Sequence, residues 1–300
     1  MTDSIPNLLD PEAVSSAEAI GLAARYIVEG FLSGEHRSPF HGFSIEFTQH
    51  REYVPGDDIR HLDWKVLGKS DRFVIKQYEQ ETNYVAQIVL DASESMIYGS
   101  GKMTKLHYAK LLAACLSYVI LQQRDAGALA VCDTEVRTYL PRSSNLNSIH
   151  NIMGTLAKIT ATEKTDLGKI LHDLAGQVKR RGIIIVISDL FDDEENLLKG
   201  IQHLRFAGHE VIVFHVLDPE EIEFNFSGSV EFQGLEGDPT LTTRPRDIRK
   251  SYLSELNAFL DRVRIGCERQ NCHYVLANTA HPLKETLRSY LGFRHRATAR

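Results

Sequence analysis

From residue 84 onward, short apolar runs alternate with longer segments in which apolar residues recur every three or four positions. The first pattern predicts buried strands and the second predicts amphipathic helices. The run GIIIVI at 182–187 has the β-branched composition of a central parallel strand that is covered on both faces. Predicted strands cover residues 85–90, 127–132, 137–140, 182–187, 210–216 and 273–276. Predicted helices cover residues 15–32, 105–123, 146–158, 166–179, 194–206, 248–270 and 282–291.

This alternation predicts an α/β, Rossmann-like fold, with a mostly parallel central sheet flanked by helices on both faces. We assign this domain to residues 84–300 and expect a loop-rich insertion at about 218–247. Residues 1–83 are predicted to form an N-terminal helix and a β/loop segment that packs on the core. In folds of this kind, binding sites lie beyond the carboxyl ends of the strands, so polar residues at those ends deserve first consideration.

The amino-acid composition and net charge of the chain exclude some classes of protein. Hydrophobic residues make up 43% of the chain and charged residues 25%, as in ordinary globular proteins. A net charge of -6 argues against general nucleic-acid binding, which requires a basic surface. The N-terminal residues lack the pattern of a signal peptide, and no apolar run approaches the roughly 20 residues that span a bilayer. We therefore expect a cytoplasmic protein with reduced cysteines and no direct membrane insertion.

Two of the predicted buried strands are followed by acids, Asp91 and Asp189. The loop after the first strand reads D-A-S-E-S, which places Ser93 and Ser95 at alternate positions, and Thr165 precedes the helix predicted at 166–179. Carboxylate and hydroxyl oxygens, with no thiolate or imidazole among them, suit a hard ion such as Mg2+, with Mn2+ as the alternative. The predicted metal ligands are Asp91, Ser93, Ser95, Thr165 and Asp189.

The pattern D-x-S-x-S, a later Thr and an Asp after a following strand resembles the metal-ion-dependent adhesion site of von Willebrand factor A domains. The segments HRSPFHGFSIEF (36–47), REYVPGDDIRHLDWK (51–65), VIKQYEQE (74–81) and LDASESM (90–96) resemble the bacterial domain of unknown function 58 family. This resemblance implies a von Willebrand factor A-like fold. It also implies a cytoplasmic adaptor or chaperone-like partner of a MoxR-type AAA+ ATPase.

Three functions remain open at this point. The first is a metal-dependent binding module, not an enzyme, whose ion accepts an Asp or Glu from the ATPase or its client. The second is a metal-assisted phosphohydrolase with Asp91 as nucleophile, although Ser93 stands where the haloacid dehalogenase type has a second Asp. The third is a purely structural scaffold. In that case Ser93 or Ser95 would only cap a helix, and Asp189 would be a strand-end turn residue.

A smaller question concerns the segment 51–65, which mixes charged and aromatic residues. It could present a surface to a partner, or it could form a buried ion-pair network that fastens the N-terminal segment to the core. The residues concerned are Arg51, Tyr53, Asp57, Asp58, Arg60, Asp63 and Trp64.

Overall fold

The computed structural model describes residues 17–34, 47–54, 62–70, 72–78, 85–123, 125–162, 164–228, 230–232 and 241–298. The chain divides into two compact units, one formed by residues 1–36 together with 84–300 and the other by residues 37–83. Helix α1 (Ala17–Gly34) therefore clusters with the residues that follow position 84. The family segment 36–46 and the acidic turn at 55–61 lie outside the described residues.

The smaller unit contains an antiparallel strand pair and a short helix. Strand β1 (Phe47–Glu52) pairs with β2 (Val74–Tyr78), and helix α2 (Trp64–Ser70) lies between them in sequence. Asp63 is buried and accepts hydrogen bonds from the backbone N–H groups of Lys65 and Val66 at 3.0 and 3.2 Å. Trp64 is 64% exposed, so it does not belong to a buried network, and helix α2 was not predicted.

The larger unit is built on a six-stranded sheet. Its strands are β3 (Val85–Asp91), β4 (Ala126–Cys132), β5 (Val136–Ser143), β6 (Gly182–Ser188), β7 (Glu210–Leu217) and β10 (His273–Asn278). They lie in the order β10-β7-β6-β3-β4-β5, and all neighbours are parallel except the edge strand β5, which is antiparallel to β4. Counted within this sheet, the order reads 3-2-1-4-5-6, the doubly wound arrangement. The predicted α/β class is confirmed.

Helices cover both faces of this sheet. These helices are α3 (Lys105–Gln122), α4 (Ser148–Lys158), α5 (Leu167–Gln177), α6 (Glu194–Phe206), α7 (Pro219–Glu223), α8 (Pro245–Arg269) and α9 (Leu283–Thr298). Helix α3 packs on the strands and contacts α1 and α4, and it is therefore buried along most of its length. Side chains of α5, α6 and α8 pack with alternate residues of β6 on the opposite face. Within the described ranges, no helix combines the length and the apolar character needed to cross a bilayer.

The region predicted as a loop-rich insertion contains more regular structure than expected. It holds α7 and a small antiparallel pair, β8 (Val230–Phe232) and β9 (Leu241–Thr243), and α8 begins at Pro245 instead of at residue 248. Helix α7 starts with a capping box in which Asp218 and Glu221 satisfy each other's backbone N–H groups. Proline at the first helical position completes this start signal, which the many surrounding Gly and Pro residues had obscured.

Helices α5 and α6 approach each other closely at two glycines. A Cβ atom on Gly168 would lie 2.6 Å from the carbonyl carbon of Asn196, and one on Gly200 would lie 2.6 Å from the carbonyl oxygen of Gly168. No side chain fits at either position without displacing backbone. Helix α5 follows the loop that carries Thr165, and α6 follows the loop that carries Asp189. The glycine contact therefore fixes the relative position of two loops at the carboxyl edge of the sheet.

We expect Gly200→Ala to lower the free energy of unfolding by about 1–3 kcal/mol, because the added methyl group overpacks a backbone contact. Gly154→Ala is the matched control, since it also lies within a helix and a Cβ there would meet nothing within 4 Å. That variant should gain up to about 1 kcal/mol from helix propensity. Urea unfolding of both proteins measures the difference. Equal changes in the free energy of unfolding of the two variants would contradict a close backbone contact between α5 and α6.

Candidate metal centre at the carboxyl edge of the sheet

The two acids predicted as metal ligands lie at the ends of neighbouring strands. Strands β3 and β6 are parallel, and Leu90 is in register with Ile187. Asp91 therefore lies level with Ser188, the residue before Asp189, and both acids are fully buried. The hydroxyl group of Ser188 donates a hydrogen bond to Oδ2 of Asp91, which links the two strand ends directly.

The loop that follows Asp91 places its two serine hydroxyls together. The backbone N–H of Ser93 donates to Oδ1 of Asp91 at 2.9 Å. The Oγ atoms of Ser93 and Ser95 lie 3.1 Å apart, and both residues are buried. A short 3-10 helix follows, Glu94–Ile97, and Ser93 precedes it without making a side-chain capping bond. Helix capping therefore does not account for Ser93.

Burial of the acid pair has a clear electrostatic consequence. The pKa of Asp91 is raised to about 7, chiefly by burial and in addition by the nearby charge of Asp189. Hydrogen bonds from Ser188 and Ser93 oppose this shift by stabilising the carboxylate. Two buried carboxylates within electrostatic reach of each other form a site that favours a cation.

Thr165 lies in a segment that is hydrogen-bonded to the same edge of the sheet. The backbone N–H of Thr162 donates to the carbonyl oxygen of Ala92 at 3.0 Å, and that of Asp166 donates to the carbonyl oxygen of Asp133 at 3.1 Å. These bonds join the residues on either side of Thr165 to the ends of β3 and β4. Among the residues that the structure describes, Oγ1 of Thr165 is buried and has no hydrogen-bond partner. Buried hydroxyl groups normally have one, so a ligand for this oxygen is expected.

Asp189 has a partner that the sequence did not indicate. Nζ of Lys105, the first residue of α3, donates to Oδ2 of Asp189 at 2.8 Å and to Oε1 of Glu221 at 2.7 Å. From the sequence, Lys105 was predicted only as the first residue of a long apolar helix. Its charge among apolar residues was the signal that could have indicated a buried acidic partner. Burial lowers the pKa of Lys105, but the charges of Asp189 and Glu221 outweigh burial and hold that pKa above its usual value. The ammonium group therefore stays protonated.

The turn after Asp189 is strained. Leu190 is buried and has a φ of 57°, in the left-handed region that side chains other than glycine rarely adopt. Its backbone N–H donates to Oγ of Ser188 at 2.9 Å, and the N–H of Phe191 donates to Oδ1 of Asp189 at 3.3 Å. The hydrogen bond from Phe191 to Asp189 is the one expected if Asp189 is a strand-end turn residue. However, Asp189 is also buried against Lys105, so the turn does not account for it fully.

Asp218 holds the loop between residues 98 and 105 against the end of β7. Its Oδ2 accepts the backbone N–H of Ser100 at 2.9 Å, and its Oδ1 accepts the hydroxyl of Ser100 and the N–H of Glu220. Asp218 is fully buried and was not singled out from the sequence. One carboxylate thus joins two loops of the carboxyl edge and also caps helix α7.

The donor set at this edge fits a hard divalent ion. Within the described part of the chain, no group of three or more His, Cys, Asp or Glu side chains could hold a metal. The candidate ligands are therefore the two carboxylates together with hydroxyl groups, and all of their oxygens are of the kind that Mg2+ and Mn2+ accept. The orphaned hydroxyl of Thr165 and the mutual repulsion of the acids are both features that such an ion would relieve.

The strand order and the antiparallel edge strand define a doubly wound α/β domain, the fold class that the resemblance to von Willebrand factor A domains had predicted. Comparison of the sequence with protein families matches residues 49–258 to the family described as protein of unknown function DUF58. The chain belongs to this family, as the sequence motifs had indicated.

Individual relatives are more distant. Uncharacterized protein Rv1480 of Mycobacterium tuberculosis and uncharacterized protein Mb1516 of Mycobacterium bovis are each 26% identical over 230 residues, which is 76% of this chain and 72% of theirs. Among solved structures, the conserved hypothetical protein BatB from Bacteroides thetaiotaomicron has a TM-score of 0.49 at 18% identity, over 71% of this chain and 99% of that one. The SpRpn10 VWA domain has a TM-score of 0.40 at 14% identity, over 68% and 93%. The strand order itself defines the fold class.

We expect Asp218→Ala to lower the free energy of unfolding by about 2–3 kcal/mol, because it removes a helix cap and the two hydrogen bonds that Ser100 donates to this buried carboxylate. The matched control is Asp193→Ala, which removes an exposed cap of α6 that accepts the N–H of Asn196 at 2.8 Å. That loss should be about 1 kcal/mol. Chemical denaturation gives both values, and hydrogen exchange at the Ser100 amide reports the loop. Equal losses in the two variants would contradict the structural role of Asp218.

Proposed function

We propose that this protein is a metal-ion-dependent protein-binding module and that it binds Mg2+ or Mn2+ at the carboxyl edge of its sheet. The observation that supports the proposal is that a buried acid, Asp91, lies within electrostatic reach of Asp189 and accepts a hydrogen bond from the loop that brings Ser93 and Ser95 together. A second support is the buried hydroxyl of Thr165, which has no hydrogen-bond partner among the residues that the structure describes. The proposed ligands are Asp91, Ser93, Ser95, Thr165 and Asp189.

The proposed ligands fall into two groups, neutral hydroxyl oxygens and charged carboxylates. Ser93 and Ser95 would hold the ion through their hydroxyl oxygens, and Thr165 would join them directly or through water. Asp91 and Asp189 would supply the negative charge, at least one of them through a water molecule. Hydroxyl groups carry no formal charge, so two carboxylates do not over-neutralise a divalent ion. When bound, the ion would offer an electrophilic position to a carboxylate oxygen from an Asp or Glu of another protein.

The proposal gives Asp91 no covalent role in catalysis. Both of its oxygens already accept hydrogen bonds, Oδ1 from the backbone of Ser93 and Oδ2 from the hydroxyl of Ser188. These bonds orient the carboxylate as a fixed ligand and reduce its nucleophilicity. In addition, Ser93 stands where the haloacid dehalogenase type of phosphohydrolase has its second acid. We therefore favour a binding function over an enzymatic one.

We also propose a MoxR-type AAA+ ATPase, or a client of one, as the partner that presents the acid, and we propose that this takes place in the cytoplasm. The partner rests on the family resemblance of the sequence. The location is supported by four cysteines that are all free and buried, as expected where thiols stay reduced.

Ser93→Ala combined with Ser95→Ala should abolish the heat of Mg2+ binding and leave the thermal unfolding of the metal-free protein largely unchanged. Both hydroxyls are needed as neutral oxygen ligands, and alanine offers none. Titration calorimetry compares this double variant with wild type and with Ser144→Ala, an exposed serine outside the site. The site assignment fails if the double variant and wild type give the same heat.

A pull-down with the purified protein tests the partner. We expect an AAA+ ATPase to be retained in Mg2+ and to be released by EDTA, because the metal is the proposed point of attachment. Mass spectrometry identifies the retained proteins, and the Ser93→Ala/Ser95→Ala variant serves as the metal-site control. Retention of the ATPase in EDTA would support a scaffold that binds without metal.

A further inference from the structure

Lys105 occupies the same acidic site as the proposed ion. Its side chain is 1% exposed, and its ammonium group bonds to Asp189, which is 0% exposed, and to Glu221, which is 15% exposed. The aromatic rings of Phe191 and Tyr98 lie 4.9 and 5.9 Å from Nζ. A fixed positive charge is therefore held next to one of the proposed metal ligands, out of contact with bulk water.

Glu221 keeps this ammonium group in place. The Oε2 atom of Glu221 accepts the backbone N–H of Asp218 at 2.8 Å, which leaves Oε1 directed at Lys105. The backbone N–H of Lys105 donates to the carbonyl oxygen of Tyr98 at 2.8 Å, so the start of α3 is also fixed. Both ends of the Lys105–Glu221 contact are thus fixed by the backbone. These anchors hold the two side chains at positions from which both reach the same contact.

We propose that Lys105 is a built-in competitor cation, which bonds to Asp189 and thereby weakens the binding of a divalent ion at the carboxyl edge. This inference rests on the proposed metal site. A metal ion near Asp189 would be repelled by the positive charge of the Lys105 ammonium group. The ammonium group also occupies Oδ2 of Asp189, which favours contact between Asp189 and the ion through water. Lys105 is thus a positioning residue that sets the affinity of the site.

The decisive variant is Lys105→Met/Glu221→Gln. It removes one positive and one negative charge, so the net charge around the site stays the same while Asp189 loses its bound cation. Lys105→Gln/Glu221→Gln is the companion variant, because the glutamine at position 105 can still donate a neutral hydrogen bond to Asp189. Glu221→Gln alone retains the lysine and controls for loss of the acid. Folding of each variant is checked by circular dichroism and thermal unfolding.

Mn2+ alone is the probe, and electron paramagnetic resonance measures the free ion during titration. We expect each folded double variant to bind Mn2+ at least about tenfold more tightly than wild type, since a unit charge a few ångströms away acts strongly in a buried site. The rise in Tm on adding Mn2+ should also be larger. Glu221→Gln alone should bind no more tightly than wild type. A merely structural role for Lys105 predicts the opposite sign, because damage to the fold weakens binding.

The possible results of the Mn2+ titrations distinguish a failure of this inference from a failure of the proposed function. If wild type binds Mn2+ and the folded double variants bind it no more tightly, Lys105 does not compete and only the inference is overturned. If wild type binds no Mn2+ and the double variants do, Lys105 excludes the metal and the inference stands in its strongest form. If no protein binds Mn2+, the metal site is wrong and the inference falls with it.

Discussion

The burial of two carboxylates at the ends of neighbouring parallel strands is the constraint on which the carboxyl edge depends. Asp91 and Asp189 are fully buried, and removing unpaired charges from water costs several kcal/mol per ion. The surrounding groups all offset this cost: the hydroxyl of Ser188, the backbone N–H of Ser93 and the ammonium of Lys105 each donate to one of the acids. The edge is therefore organised around negative charge, and a cation is the natural complement to it.

The loops that surround the acids are held by contacts between different segments of the chain. Asp133 accepts the hydroxyl of Thr162 at 2.9 Å, Asp218 holds Ser100, and the glycine contact joins α5 to α6. Such contacts make the edge stiff, because moving one loop disturbs its neighbours. Within the proposed function, a change in coordination at Thr165 would act directly on helix α5, and then on α6 through the glycine contact. This is a physical route from the metal to a distant surface.

The proposed metal ion and the ammonium group of Lys105 would both interact with Asp189, so the two proposals concern the same site. A divalent ion would satisfy the hydroxyls as well as the acids, whereas the ammonium group reaches only Asp189 and Glu221. The lysine pairs with one of the two buried carboxylates, so they do not face each other without a cation. Within the two proposals, an entering ion would have to overcome this pairing. Pairing without metal and affinity for metal would then be opposing demands on the same carboxylate.

The sequence by itself determined the fold class, because strands and helices leave periodic patterns of apolar residues that do not depend on distant contacts. It also determined the oxygen-rich strand ends, since the carboxyl ends of parallel strands meet at one edge. Only the tertiary structure decided that Lys105 pairs with Asp189, 84 residues away, and that Glu221 completes the pair. A lysine at the start of a helix has the same local pattern whether it faces solvent or a buried acid. Its partner is set by packing between elements, and no local pattern encodes that choice.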